Sequence, residues 1–264
     1  MKNPKIVFFD IDDTLYRKET DVLRPSVTTA LFELKQRNII TAIATGRTLC
    51  ALPKKISQLI EEVGIDLLVT INGQYNVYRG EPLQSYSMPK IDIERICTFF
   101  DKHSIGYGFV TPEHIVASHD SLPIHSSLQK ILPDYIIDKQ YFHHHKVYQM
   151  LAFYERDQDQ FIAQAPELSG YKAIRWHQKS VDLLTKEGSK ARGINHAIQT
   201  LGINMKDVMA FGDGLNDLEM MQAVGFSVAM GNGHPQTKAL ADYICPSVEE
   251  DGVLKGLKDL GVIA

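Results

Sequence analysis

The chain has 264 residues, enough for one large domain or two modest ones at roughly 100–200 residues each. Its 44% apolar and 23% charged residues match a globular protein and exclude disordered, collagen-like and coiled-coil classes. With 28 Lys and Arg against 32 Asp and Glu, the formal charge is -4; no basic excess is available to neutralise a phosphate backbone, which disfavours nucleic-acid binding.

Met1 to Lys5 precede only four apolar residues before Asp10, too few for the apolar region of a secretory signal. That run, Ile6 to Phe9, suits a parallel strand buried on both faces. A helix is predicted from Pro25 and Ser26, with Val27, Ala30, Leu31 and Leu34 as its apolar face and Asn38 as its stop. Ile39 to Ala44 reads as a second strand, ending at Thr45-Gly46-Arg47. A helix from Leu49 to Val63 and a strand from Leu67 to Ile71, ending at Asn72-Gly73, repeat the alternation.

The middle of the chain, Val77 to Thr185, changes character. Strands are predicted at Gly106 to Val110, Ile115 to Ser118, Val147 to Tyr154 and Tyr171 to Trp176, with helices at Ile91 to Lys102, Leu122 to Leu132 and Gln158 to Ala165. This mixture predicts an α+β insertion with an antiparallel sheet. Beyond it Ser189 caps a helix carrying Ile194, Ala197, Ile198 and Leu201, stopped by Gly202. Val208 to Phe211 is a strand running into Gly212-Asp213-Gly214, the next helix holds Leu218, Met221 and Val224, and Phe226 to Met230 is a further strand. Repeated strand and helix units predict an open parallel sheet with helices on both sides. No stretch approaches the ~18 apolar residues of a membrane span. Cys50, Cys97 and Cys245 form neither a CxxC motif nor a disulfide framework. A reduced, cytoplasmic protein with no membrane partner is expected.

The predicted parallel strands end in Asp10-Ile11-Asp12-Asp13-Thr14, Thr45-Gly46-Arg47, Asn72-Gly73 and Gly212-Asp213-Gly214-Leu215-Asn216-Asp217. Ligands of open α/β sheets bind outside those carboxyl ends, so one site is expected to collect Asp10, Asp12, Asp213 and Asp217. Gathered carboxylates repel unless a cation or protons compensate, and hard oxygen donors favour Mg²⁺ over zinc.

In order and spacing these pieces resemble the haloacid dehalogenase superfamily over nearly the whole chain, and the insertion between Gly46 and Lys190 resembles its Cof-type phosphatase branch. The resemblance implies Asp10 as nucleophile and metal ligand. It implies that Asp12 offers its carbonyl to Mg²⁺ and its carboxyl as acid/base, that Asp213 completes the metal ligands, and that Asp217 supports them. Thr45, Gly46, the Ile11 amide, Lys190 and Asn216 would hold phosphate oxygens. Dehalogenases of the superfamily lack the second Asp and its transport ATPases carry Thr there, so Asp12 favours phosphoryl chemistry. Many relatives have Gly where this chain has Asp13, which leaves that side chain's role open.

Asp, Asn and Gly cluster at turns in any protein, and a lone DxD or GDG would mean little. DxDxT, TG, Lys and GDGxND in this order mean more. Arg47 is open between a salt bridge and a substrate contact. Eight of the ten histidines fall in the insertion, namely His103, His114, His119, His125, the run His143, His144 and His145, and His177. Successive strand residues point to opposite sides, so exposed or substrate-edge histidines are expected there rather than a transition-metal site. Tyr141, Phe142, Tyr148, Phe153, Tyr154 and Trp176 read as core of the insertion, and Met220 and Met221 as core packing.

The expected fold is α/β, a Rossmann-like parallel sheet core with an inserted α+β cap domain: core in residues 1–78 and 186–264, cap in 79–185. The expected activity is Mg²⁺-dependent hydrolysis of a small phosphorylated metabolite, a sugar phosphate or a phosphorylated cofactor or precursor, with the cap closing over the core to exclude water. A phosphosugar mutase is the first alternative and a non-catalytic Mg²⁺ or metabolite-binding module the second, although a pure binder needs no acid beside its nucleophile.

Overall fold

The computed structural model describes residues 4–264. The chain divides into two compact units, one built from the described residues up to Arg47 with Leu52–Gln84 and Ser189–Ala264, the other from Thr48–Ala51 and Ser85–Gly188.

The first unit is centred on an eight-stranded sheet. From one edge its order is Tyr243–Ile244, Phe226–Ala229, Val208–Gly212, Ile6–Phe9, Ile40–Ala44, Leu67–Thr70, Tyr75–Tyr78 and Glu81–Ser85. Pairing is parallel through Leu67–Thr70, which meets Tyr75–Tyr78 antiparallel. The uninterrupted apolar strands follow from burial on both faces. Val7 and Phe9 pack on one side with Val27, Ala30, Leu31 and Leu34 of the helix Pro25–Gln36; Ile6 and Phe8 pack on the other with Ile194, Ala197 and Ile198 of the helix Lys190–Thr200. Met220 and Met221 join that second core. Asn38 and Gly202, with φ of 58° and 64°, end their helices in the left-handed conformation their residue types tolerate.

Two expectations for this unit need correction, and one element is added. The helix predicted from Leu49 is broken into a 3-10 turn, Leu49–Ala51, and a helix, Lys54–Val63, because Pro53 keeps its predecessor out of helical geometry. The strand expected to reach Ile71 stops at Thr70, where Ile71 and Asn72 turn to φ 50°. A two-stranded flap, Tyr16–Arg17 with Val22–Leu23, lies between Asp10 and the first helix and was not expected.

The second unit carries a six-stranded sheet ordered Ile136–Ile137, Ile115–Ala117, Gly106–Val110, Gln149–Phe153, Ser180–Thr185 and Tyr171–His177. It is antiparallel except where Ile136–Ile137 runs parallel to Ile115–Ala117. The helix Lys90–Lys102 lays Ile93, Ile96, Phe99 and Phe100 against Tyr107, Phe109 and Met150 of this sheet. Tyr141, Phe142, Tyr148, Phe153 and Tyr154 are buried, whereas Trp176 is partly exposed. The run His143 to His145 sits at and beyond a 3-10 turn, Tyr141–His143, rather than in a strand, so alternation does not separate its rings. All three cysteines are free, and no helix among the described residues is long and apolar enough to cross a membrane. The architecture is α/β, a Rossmann-like sheet interrupted by an α+β insertion.

Candidate active site

Parallel pairing of Ile6–Phe9 with Val208–Gly212, in the register Phe9↔Phe211, sets the residues after the two strand ends beside each other. Those residues are Asp10 and Asp213. The 3-10 turn Leu215–Asp217 brings Asp217 back beneath the loop, where its Oδ2 accepts from the Asp213 and Gly214 amides at 2.9 Å each. Asp10, Asp213 and Asp217 each present an oxygen within 4.8 Å of the others. Lys190 enters from the start of its own helix, whose Ser189 cap accepts from the Arg192 amide. The Lys190 ammonium donates to Asp10 Oδ1 at 2.5 Å and Asp217 Oδ1 at 2.7 Å, with no solvent exposure on the lysine. Thr14 Oγ1 donates to Asp213 Oδ1 at 3.2 Å.

Three carboxylates facing one ammonium leave negative charge uncompensated in a largely buried site. Burial pushes the Asp10 carboxyl up to about 7, and Asp217 and Asp12 add to the rise against the opposing pull of Lys190. Burial pushes Asp213 up to about 9, with Asp10 and Asp217 contributing. Burial alone would lower Lys190, but Asp10 and Asp217 hold it above the ordinary lysine value. Without another cation the site therefore tends to hold protons on acids that are normally ionised. An all-oxygen donor set with surplus negative charge fits a hard divalent cation.

Around this cluster the loops offer small residues and amide donors. The Ile11 amide donates to no backbone acceptor among the described residues. Thr45 is buried, and its Oγ1 accepts from the Arg47 amide at 3.1 Å. A Cβ on Gly46 would approach Asn72 Oδ1 to 3.1 Å and Asn216 Nδ2 to 3.3 Å, so only glycine leaves the space between them open. Asn216 Nδ2 donates to Asn72 Oδ1 at 3.1 Å, joining two strand-end loops. Asp12 does not share the carboxylate cluster: Arg47 Nε and an Arg47 terminal nitrogen donate to its two oxygens at 2.7 and 2.8 Å.

This constellation of strand-end aspartates, buried lysine and asparagine-lined loop extends through a chain whose residues 7–257 match the family model for haloacid dehalogenase-like hydrolases. The chain belongs to the haloacid dehalogenase-like hydrolase family. It is 34% identical over 263 residues to the Bacillus subtilis (strain 168) protein named "Putative phosphatase YkrA", with 98% of each chain covered. It is 26% identical over 259 residues to 5-amino-6-(5-phospho-D-ribitylamino)uracil phosphatase YcsE of the same organism, covering 96% of this chain and 94% of that one. The solved structure of the HAD subclass IIB sugar phosphatase BT4131 superposes with a TM-score of 0.89 at 28% identity, covering 98% of this chain and 100% of that one. The protein is a phosphatase-type hydrolase of this family.

As a haloacid dehalogenase-like hydrolase, the chain brings together Asp10, Lys190, Asp213 and Asp217, and separately Gly46, Asn72 and Asn216. Asn72, marked in the sequence only as a strand-end residue, is buried and accepts from Asn216. Thr14, marked there only by its place in DxDxT, reaches Asp213. Arg47, open between two roles in the sequence, is ion-paired with Asp12. Asp13 turns at φ 59°, a conformation that favours glycine and that aspartate tolerates. Its carboxylate pairs with Arg17 at 2.8 Å and Lys18 at 3.2 Å, while Asn232 Nδ2 donates to its carbonyl at 2.8 Å, so Asp13 anchors the flap.

Proposed function

We propose that this protein is a Mg²⁺-dependent phosphatase that hydrolyses small phosphorylated metabolites, sugar phosphates or phosphorylated cofactors and their precursors, through an aspartyl-phosphate on Asp10. The observation that carries the reading is the buried triad of Asp10, Lys190 and Asp217 beside Asp213. The substrate class draws support from relatives named for small phosphate esters, a sugar phosphatase and a phosphoribitylaminouracil phosphatase.

Asp10 attacks the phosphorus, the bond to the leaving oxygen breaks, and Asp12 gives that oxygen its proton. Water then attacks the phosphorus of the aspartyl-phosphate and passes its proton to Asp12, which frees Asp10 and inorganic phosphate. Mg²⁺ held by Asp10, Asp213 and the Asp12 carbonyl, with Asp217 supporting those ligands, would supply the positive charge that lets a carboxylate approach an anionic phosphoryl group. An ammonium has three donors. Lys190 commits two of them to Asp10 and Asp217, which leaves one for a phosphate oxygen. Thr45, Gly46, Asn216 and the Ile11 amide complete the phosphate contacts. Both Asp12 oxygens are engaged by Arg47, so Asp12 must release one of those bonds to reach a leaving group.

Phosphate release from a panel of phosphorylated metabolites, with Mg²⁺ and with EDTA, tests the reading. Activity should require the metal and vanish in Asp10→Asn; turnover that survives both changes contradicts it.

A further inference from the structure

The second unit holds a cavity of ≈ 280 Å³ between the start of the helix Lys90–Lys102 and the run His143 to Lys146. Its lining includes Lys90, Lys146, His143, His144 and His145, and no acidic residue. That one-sidedness is local. The neighbouring cavity of ≈ 160 Å³ sets Glu94 and Asp101 against Lys139 and is nearly balanced, and the whole chain has more acidic than basic residues.

Two features hold the basic groups in place. Lys90 Nζ donates to the His143 carbonyl at 3.4 Å, tying the helix start to the histidine turn. The His145 ring stacks on Tyr141 with centroids 3.9 Å apart, and its Nδ1 lies 3.1 Å from the Tyr141 carbonyl. A carbonyl only accepts, so Nδ1 carries the proton and Nε2 is left as an acceptor when the ring is neutral. The imidazoles do not form a metal site: among the described residues, the one group of three His, Cys, Asp or Glu donors that converges is Asp10, Asp213 and Asp217. The ammonium groups of Lys90 and Lys146, with no carboxylate beside them in the lining, suit an anion, because charge-assisted hydrogen bonds to phosphate are strong and a cleft of one sign concentrates counter-ions.

We infer that this cavity is a second anion site, taking inorganic phosphate, diphosphate or the phosphate group of a small metabolite independently of the Asp10 site. Its lining belongs wholly to the second unit and the Asp10 cluster wholly to the first.

Calorimetric titration of inorganic diphosphate into the full chain, in EDTA and at physiological salt, tests the inference, because without a cation the Asp10 cluster repels anions. One saturable site is expected, unchanged in Asp10→Asn and weakened at least about tenfold by the pair Lys90→Gln and Lys146→Gln. Both lysines are exposed, so this variant should melt with the wild type. In the wild type, diphosphate should also shift the ring resonances of His143, His144 and His145 and leave those of His196 and His234 unmoved. A matching titration with phosphate and with a sugar phosphate separates a bare anion from an ester as the preferred occupant. Absence of saturable binding, binding that survives the lysine pair, or binding lost in Asp10→Asn overturns the inference.

Discussion

Replacing Lys190 by methionine removes one charge from a site where two carboxylates lean on it. The ammonium lies 2.5 Å from Asp10 and 2.7 Å from Asp217, and the exposures of the three side chains are 0%, 7% and 0%. Methionine fills much of the same volume, so the change is chiefly electrostatic. Taking one partner from a buried ion pair costs about 3–5 kcal/mol, a large share of a total stability of about 5–15 kcal/mol. The loss should depend on pH. Lys190 is held above its ordinary value, so its contribution is present throughout the neutral range and is lost only as pH rises through its folded value. The carboxyls set the slope: Asp10 is already raised from 3.8 to about 7, and removing the ammonium raises it further. An acid with a raised folded pKa loses stability as pH rises through that window. Urea unfolding followed by circular dichroism in EDTA should show a smaller deficit near about pH 5, where the Asp10 carboxyl is protonated and needs the ammonium less, and the full deficit near about pH 8. A deficit under about 1 kcal/mol at the higher pH, or one that does not vary with pH, would refute the reasoning.

Three further outcomes follow from the same geometry. The metal-free protein should lose thermal stability as pH rises from about 4 toward about 9, since Asp10 and Asp213 are raised to about 7 and about 9, and Mg²⁺ should restore it; melts with a flat pH response would count against an uncompensated cluster. Arg47→Lys keeps the charge but cannot span both Asp12 oxygens, so kcat should fall, by up to ~100-fold if Asp12 is misplaced, with fold stability little changed; unaltered kcat would remove Arg47 from any positioning role. Gly193→Ala would set a Cβ 2.6 Å from Val69 Cγ1 and 2.8 Å from Gly73 Cα, and should lower stability by about 1–3 kcal/mol and displace the helix that carries Lys190; a wild-type melting temperature with full activity would show that this packing yields freely.

The strand ends were legible because their chemistry is abrupt: four apolar residues buried on both faces run straight into Asp10, and Val208 to Phe211 into Gly212 and Asp213. Joint order then marked Lys190, which by itself is one lysine among many. The edge strand Glu81–Ser85 was not legible, since every residue except the partly buried Leu83 is exposed and Pro82 interrupts it. Ser180–Thr185 was missed for the opposite reason: Ser180 and Asp182 are buried in the sheet, where polar residues are not anticipated. The Asp12 and Arg47 pair depends on how two loops meet, as does the bond from Asn216 to Asn72, and no local pattern encodes either. Periodicity likewise gave no sign that Gly193 packs against Val69 and Gly73.

The central claim is that Asp10 carries the phosphoryl group. Brief reaction of Asp12→Asn with substrate and Mg²⁺, followed by borohydride reduction and peptide mass spectrometry, measures this directly. Slowed hydrolysis of the aspartyl-phosphate should let it accumulate, and the reduced product should appear as homoserine at position 10 and at no other aspartate. Phosphate release with no modification at Asp10, or modification of a different residue, would contradict the account.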